Sequence, residues 1–440
     1  MEVAEGYKDT KIGKIPKDWE VYKFGDVFEF IKTSSHSKAQ MTLDETESDI
    51  FNVHYGAIHT TYREQLLNFD KYNVPRITDD SKLPTTNQYL KEGDVVIVDA
   101  SEDAGGMGEC VEINNIGQRK VIGGLHTFAV RDKNGLFAKG FAGYIFKNSI
   151  SRNKLIGVSN ISKVYGVSKG NIVSVPLIIP PLPEQQKIAE ILSSLDKQIS
   201  TTQAIIDKSK ELKKGLMQKL FSEGIGHTEF KETKIGRIPK DWEVVTLSDI
   251  SKKTNQGVNT TTEKVKYSDE GNYQVIRSNN LSDNFIDWNN SVFIDDDTFD
   301  RISENVKPNF NDILYSNIGS ALGFAAVVTE NIDFAIAWNV FRIQPFAMEI
   351  NSSFLAYFLN FRRKHIRRLE TQSTMPFISS KVMLKLQVAK PSLPEQQKIA
   401  EILSEADAKI EKEENEKAQL EELKKGLMQQ LLTGKKRVKV

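Results

Sequence analysis

Six basic side chains occupy seven consecutive positions: Arg362, Arg363, Lys364, His365, Arg367 and Arg368. They follow the apolar run Phe354–Leu359, which reads as a helix, and helix-borne Arg and Lys commonly contact phosphate oxygens. A solvated helix face is the usual fate of a charge run. Few acids interrupt this one, which favours phosphate. Lys147, Arg152 and Lys154 form a weaker counterpart in the first half of the chain. A polar segment follows each cluster. Gly157–Lys169 carries Lys163, Tyr165 and Lys169, and Thr371–Lys381 carries Gln372, Ser373 and Thr374.

Groups suited to base edges stand elsewhere. His54–Arg63 (HYGAIHTTYR) offers His59, Thr60, Tyr62 and Arg63, and Val275–Leu281 (VIRSNNL) offers Arg277, Ser278, Asn279 and Asn280. Arg pairs with guanine and Asn with adenine in the major groove. His59, which taken alone needs only a backbone partner, is carried with its neighbours. Small polar loops after strand-like runs add Ser101, in Ala100–Gly108, and Asn317 and Ser320, in Ser316–Gly323. Most such loops are only turns.

Catalytic patterns are missing. There is no phosphate-binding GxxxxGK[ST] loop, H-E-x-x-H or G-x-S-x-G. No Asn-Pro-Pro-aromatic or Asp-Pro-Pro-aromatic segment of the kind amino-methyltransferases use is present. The acids Asp295–Asp297 read as a solvated loop before a cation site. A single cysteine, Cys110, excludes an internal disulfide framework and a Cys-rich metal centre. The expected reading is a binding protein with no catalytic residues, no metal and no cofactor of its own.

The elements that position these groups repeat. Thr10–Val21 (TKIGKIPKDWEV) and Thr233–Val244 (TKIGRIPKDWEV) agree at eleven of twelve positions. LPEQQKIAEIL begins at Leu182 and again at Leu393, and ELKKGLMQ begins at Glu211 and Glu422. Residues 22–181 and 245–392 between these motifs differ almost everywhere. One frame holding two different inserts suggests one architecture with two recognition tasks. Trp19 and Trp242 read as core anchors.

Pro183 and Pro394 suit a first helical turn, and Glu184 and Glu395 favour the helix dipole. Apolar residues then recur at spacings of three and four: Ile188, Leu192, Leu195, Ile199 and Ile206, and in the second copy Ile399, Leu403, Ala406, Ile410, Leu420, Leu423, Leu427 and Leu431. Glu413 and Lys417 interrupt the second seam. This is a coiled-coil or bundle pattern. A helix over 183–221 would span roughly 58 Å, and its natural partner is the other copy. Gly215 and Gly426 imply close backbone approach or a local kink. Strands are predicted at Trp19–Phe24, Gly93–Val98, Trp242–Leu247 and Asn311–Tyr315.

The predicted fold class is α+β: two globular mixed α/β domains separated by two long antiparallel coiled-coil helices, with a pseudo-twofold internal repeat. The predicted segments are 1–181, the first domain; 182–224, the first spacer helix; 225–392, the second domain; and 393–440, the second spacer helix. Such a spacer would place two reading heads on successive turns of B-DNA, about 34 Å apart.

PLPEQQKIAEIL at 181–192, its copy from Leu393, the GxIPxxWE segments at 13–20 and 236–243, and the paired ELKKGLMQ strings resemble the specificity subunit of type I restriction-modification systems. The likeness covers nearly the whole chain. It implies that each variable block is a target-recognition domain reading one half of a bipartite, asymmetric site in double-stranded DNA. It implies that the repeated helices dock two methyltransferase subunits, with Pro183, Glu184, Gln185, Gln186, Pro394, Glu395, Gln396 and Gln397 as the docking residues. S-adenosylmethionine would belong to those subunits, and a restriction/translocase subunit would join them.

Composition fits a protein of the cytoplasm: no secretory leader is visible, and no apolar run approaches a membrane span. The 59 basic and 59 acidic residues give no net charge, which counts against a simple DNA-binding domain. Local basic faces, or phosphate contacts shared with a partner, must compensate. Competing readings are a specificity subunit for a fused methyltransferase-nuclease, a coiled-coil scaffold for partners other than DNA, and an enzyme acting through the acidic loops.

Overall fold

The computed structural model describes residues 6–44, 46, 48–78, 83, 89–161, 164–370 and 376–439. The chain divides into two compact units: residues 1–205 with 413–440, and residues 206–412. Each opens on a hairpin from the repeated motif. Tyr7–Thr10 pairs antiparallel with Gly13–Pro16, and Phe230–Thr233 with Gly236–Pro239. The tryptophan that follows is buried in each case, Trp19 at 0% and Trp242 at 1% exposure. A strand from the motif then pairs with the strand preceding a long helix: Glu20–Lys23 with Pro176–Ile179, and Glu243–Thr246 with Gln387–Lys390. Each variable block is therefore closed at its base by its own two ends.

A buried strand organises each block. In the first unit, Val95–Val98 lies third in a five-stranded sheet, between Thr127–Asp132 and Cys110–Asn114. Successive side chains on a strand point to opposite faces. Val95 and Ile97 accordingly enter one apolar cluster, while Val96 and Val98 enter another. An uninterrupted Val-Val-Ile-Val run is what burial on both faces requires. Ile313–Ser316 does the same in the second unit, with Ile313 and Tyr315 on one side and Leu314 on the other. Polar loops, Asp99–Gly108 and Asn317–Gly323, follow these strands directly.

The long helices are continuous over Leu182–Glu223 and Leu393–Leu431, and each gives one half to each unit. In the first unit, Ile188, Ala189 and Leu192 pack with Leu431, Leu432, Trp19 and Tyr144. In the second, Ile399, Ala400 and Leu403 pack with Met217, Leu220, Phe221 and Trp242. The start of one helix thus lies with the end of the other. The seam is less complete than its spacing suggests. Leu423 is 51% exposed, as is its counterpart Leu212 at 62%. Of the two readings of the helix glycines, close backbone approach is not found. A Cβ on Gly215 or Gly426 would meet nothing within 4 Å.

Candidate nucleic-acid interface

In the first unit, the end of Val95–Val98 leads into a small ribbon. Ala100–Ser101 pairs with Tyr165–Gly166, which places Ser101 opposite Tyr165. The loop then turns back at Gly106. A Cβ there would fall 2.1 Å from Ser101 Oγ and 2.8 Å from His59 Cε1, so only glycine lets these three meet. His59 and Thr60 are exposed on the short helix Tyr55–Thr60. Arg63 is exposed just beyond it. Tyr55, 38% exposed, has its ring between those of His59 and His126, at 6.3 and 5.2 Å. His126 adopts a left-handed φ of 55° and turns its Nδ1 to within 3.8 Å of Asp99. Burial raises the Asp99 carboxyl above its ordinary range, and His126 opposes this.

Not every expected residue lies on that surface. Tyr62 is buried at 6% exposure, with its ring against Tyr72; its neighbours Ala57 and Ile58 draw this turn into the core. Arg152 is committed inward. It donates to the carbonyls of Gly105 and Ala104 and pairs with Glu109, which also binds Lys147. Burial alone would raise the Glu109 carboxyl, but Lys147 and Arg152 outweigh it and hold it low. Arg152 therefore shapes the loop. Lys154 and Lys169 are exposed, and Lys169 Nζ sits 5.0 Å from the Phe30 ring centre. Lys163 lies outside the described residues, as do Gln372, Ser373 and Thr374.

The second unit presents different chemistry at the corresponding place. Asn317, 2% exposed, exchanges hydrogen bonds with Gln256 and donates to the Ile378 carbonyl. Ser278 is held by Asn339 through two bonds, of 3.2 and 2.8 Å. Asn280 is buried and closes its own turn, accepting from Arg277 N and donating to the Asp287 carbonyl. Asn279 stays exposed. Arg277 Nε has no hydrogen-bond partner among the described residues. Beside these amides stands Trp338, 49% exposed, its carbonyl taken by Gln256. Gly257 makes this packing possible, since a Cβ would lie 2.3 Å from the Ala337 carbonyl oxygen.

The basic cluster splits by burial. It rides on the helix Ser352–Ile366 and the turn that follows. Arg362 donates to the Ile235 carbonyl, and Arg363 to those of Leu322 and Ser320 while stacking over Phe324 at 3.6 Å. Arg367 pairs with Glu370. Lys364, Arg368 and Ser320 remain exposed. Asp295 caps a helix by accepting from Thr298 N, and Asp296 accepts from Asn272, so these acids have structural partners. No group of three or more His, Cys, Asp or Glu among the described residues could hold a metal ion. No described helix is long and apolar enough to cross a membrane.

The repeated helix motif faces largely inward. Glu184 accepts from Trp19 Nε1 at 2.8 Å and pairs with Arg437 through two 2.7 Å contacts. Arg437 also pairs with Asp18 and holds that carboxyl below its usual range. Glu395 accepts from Trp242 Nε1, Ile225 N and His227 Nε2. Gln185 accepts from Ala138 N and donates to the Leu136 and Pro180 carbonyls. Gln396 makes the corresponding bonds to Asn351 N and the Glu349 and Pro391 carbonyls. Glu184, Gln185 and Gln396 are at most 2% exposed, and the Glu395 side chain is 13% exposed. These four residues, expected at a docking surface, are placed where they anchor each domain to its helices. Pro183, Gln186, Pro394 and Gln397 are exposed.

Spacing did not single out Tyr55, His126, Gln256, Trp338 or Asn339. Local signals existed for some of them: Tyr55 lies within His54–Arg63, and in Phe334–Val340 (FAIAWNV) Trp and Asn follow the apolar strand Phe334–Ile336.

Comparison with known proteins bears on the whole chain. Residues 16–211 and 239–422 match the family described as Type I restriction modification DNA specificity domain. The type I restriction enzyme MjaVIII specificity subunit of Methanocaldococcus jannaschii is 27% identical over 451 aligned residues, covering 99% of this chain and 97% of that one. The EcoKI specificity subunit of Escherichia coli is 24% identical over 212 residues, 47% of this chain and 42% of the relative. Among solved structures, the type I system S subunit from M. genitalium has a TM-score of 0.58 at 14% identity, with 98% of each chain covered; at that identity the likeness concerns the fold.

Proposed function

The chain belongs to the type I restriction modification DNA specificity family, and from that premise we propose that it selects the DNA site of a partner methyltransferase and catalyses no reaction itself. The carrying observation is the duplication of the specificity domain with different side chains at the same place in each copy. The first offers Tyr55, His59, His126 and Ser101. The second offers Trp338, Asn279 and a braced set of amides. Two unlike reading surfaces suit two unlike half-sites on double-stranded DNA. Lys154, Lys169, Lys364 and Arg368 are the exposed cations assigned to phosphate.

Two methyltransferase subunits bind the duplicated helices, on the exposed positions Pro183, Gln186 and Lys187 and their counterparts Pro394, Gln397 and Lys398. Exposed residues have no packing reason to stay identical in two copies, and one partner bound twice supplies a reason. S-adenosylmethionine is bound by that partner, a restriction/translocase subunit completes the assembly, and the complex works in the cytoplasm. The test is genome-wide adenine methylation in a host carrying this gene and in a matched deletion, with the partner methyltransferase expressed. Loss of one split motif is the expected result. An unchanged methylome, with the partner shown active, refutes the reading.

A further inference from the structure

Each unit contains a carboxylate that joins a domain to both helices, buried in the first unit and partly exposed in the second. In the first, Asp196 on the first helix accepts from the Tyr144 hydroxyl at Oδ2 and pairs with Lys424 of the second helix at Oδ1. In the second, Asp407 on the second helix accepts from the Tyr357 hydroxyl at Oδ2, at 2.6 Å, and pairs with Lys213 of the first helix at Oδ1, at 2.7 Å. The ammonium also lies over the tyrosine ring, at 6.0 Å in one unit and 5.5 Å in the other. Asp196 and Asp407 are equivalent positions of the repeat, as are Lys213 and Lys424, so the two helices exchange roles between units. The tyrosines come from the otherwise divergent blocks, one from the turn Ala142–Lys147 and one from the helix Ser352–Ile366.

Burial argues that this arrangement is kept for something other than stability. In the first unit Tyr144 is 0% and Asp196 2% exposed; in the second the Lys213 side chain is 8% exposed and that of Asp407 34%, so burial bears most strongly on the first. A buried ion pair gains little over apolar residues of similar volume. It does impose direction. A tyrosine hydroxyl on a rigid ring reaches one carboxylate oxygen in one orientation, whereas an apolar contact tolerates sliding. Fixing that orientation matters if the domain reads DNA. A domain of this size has a radius of gyration of about 15 Å, so a tilt of about 13° moves a point at that distance from the seat by about 3.4 Å, the rise of one base pair, and a reading surface farther out needs less.

We propose that Tyr144–Asp196–Lys424 and Tyr357–Asp407–Lys213 are positioning clamps that fix each recognition domain on its helices and thereby set the spacer length between the two half-sites. This rests on the specificity reading above. In the second unit Lys213 also pairs with Asp283 of the domain, at 3.0 Å, so that seat has an additional tie. Tyr144→Phe should therefore relax the spacer more than Tyr357→Phe.

The test uses the full chain with its methyltransferase on duplexes bearing the native spacer or one lengthened or shortened by a base pair. Tyr144→Phe is expected to cut the preference for the native spacer by about tenfold, with kcat/KM on the native duplex within about twofold of wild type. Leu192→Ala, a core change in the same unit, lowers Tm and leaves the preference intact. A second readout needs no DNA: spin labels at Asn134→Cys and Gln198→Cys report the distance between domain and helix. The buried Cys110 thiol, pushed up to about 12 by burial, stays unlabelled. Tyr144→Phe should broaden that distance distribution. A wild type that methylates no split site defeats the specificity reading. A wild type that discriminates spacers, matched by a Tyr144→Phe variant that discriminates equally well with an unbroadened distribution, defeats the clamp.

Discussion

Adjacent glutamines of the repeated motif should behave oppositely when replaced by alanine. Gln185 is 1% exposed and makes three hydrogen bonds of 2.8–2.9 Å, to Ala138 N and to the Leu136 and Pro180 carbonyls. Gln185→Ala leaves one buried N–H and two carbonyls short of a partner, at about 1 kcal/mol each. Releasing the glutamine side chain from its fixed rotamer returns roughly 1 kcal/mol. The net cost is about 2 kcal/mol, or about 4–8 °C in the transition of a unit this size. Gln186 is exposed and makes none of these bonds, so Gln186→Ala should move Tm by less than about 1 °C and weaken capture of the methyltransferase instead. Calorimetry of the full chain and a binding titration with the purified partner read the two effects. If Gln185→Ala melts like wild type yet loses the partner, the inward placement of this motif is refuted.

Three further outcomes are expected. Asp312→Ala strands Arg342, whose Nε lies 2.6 Å from Asp312 Oδ2 in a pair less than 10% exposed; urea unfolding should show a loss of about 3–5 kcal/mol. Glu112 is pushed up to about 7 by burial, against the backbone N–H groups of Gly140 and Gly143. Its folded state therefore holds a proton that the unfolded chain releases near pH 4.5, so its contribution is complete below that and is lost as pH rises through about 7, on the order of 3 kcal/mol. Melting curves between pH 4.5 and 8 should show this decline, and Glu112→Gln should flatten it. Trp338→Ala removes a half-exposed ring, so Tm should hardly move while affinity for one half-site falls by about tenfold in a duplex titration. A loss spread equally over both half-sites would contradict a reading role for this ring.

The amino-acid sequence determined the frame. Periodicity marks the long helices because a stripe of Ile and Leu at spacings of three and four must be buried, and Pro183 and Pro394 mark their starts. The long helices begin at Leu182 and Leu393, one residue before those prolines. The internal repeat revealed the duplication without any structure, and the apolar runs Val95–Val98 and Ile313–Tyr315 marked strands, whose burial on both faces came from the structure. What only the tertiary structure decided is which polar groups face inward. Glu184 and Gln185 stand beside Gln186 in sequence, yet a helix turns about 100° per residue, so neighbours point to different surroundings. Arg152 and Arg363 look like phosphate ligands by composition, yet nearby carbonyls and carboxylates claim them. The Tyr144–Asp196–Lys424 and Tyr357–Asp407–Lys213 contacts join residues from three separate parts of the chain. No local pattern encodes such a meeting, because long-range packing brings those three elements together.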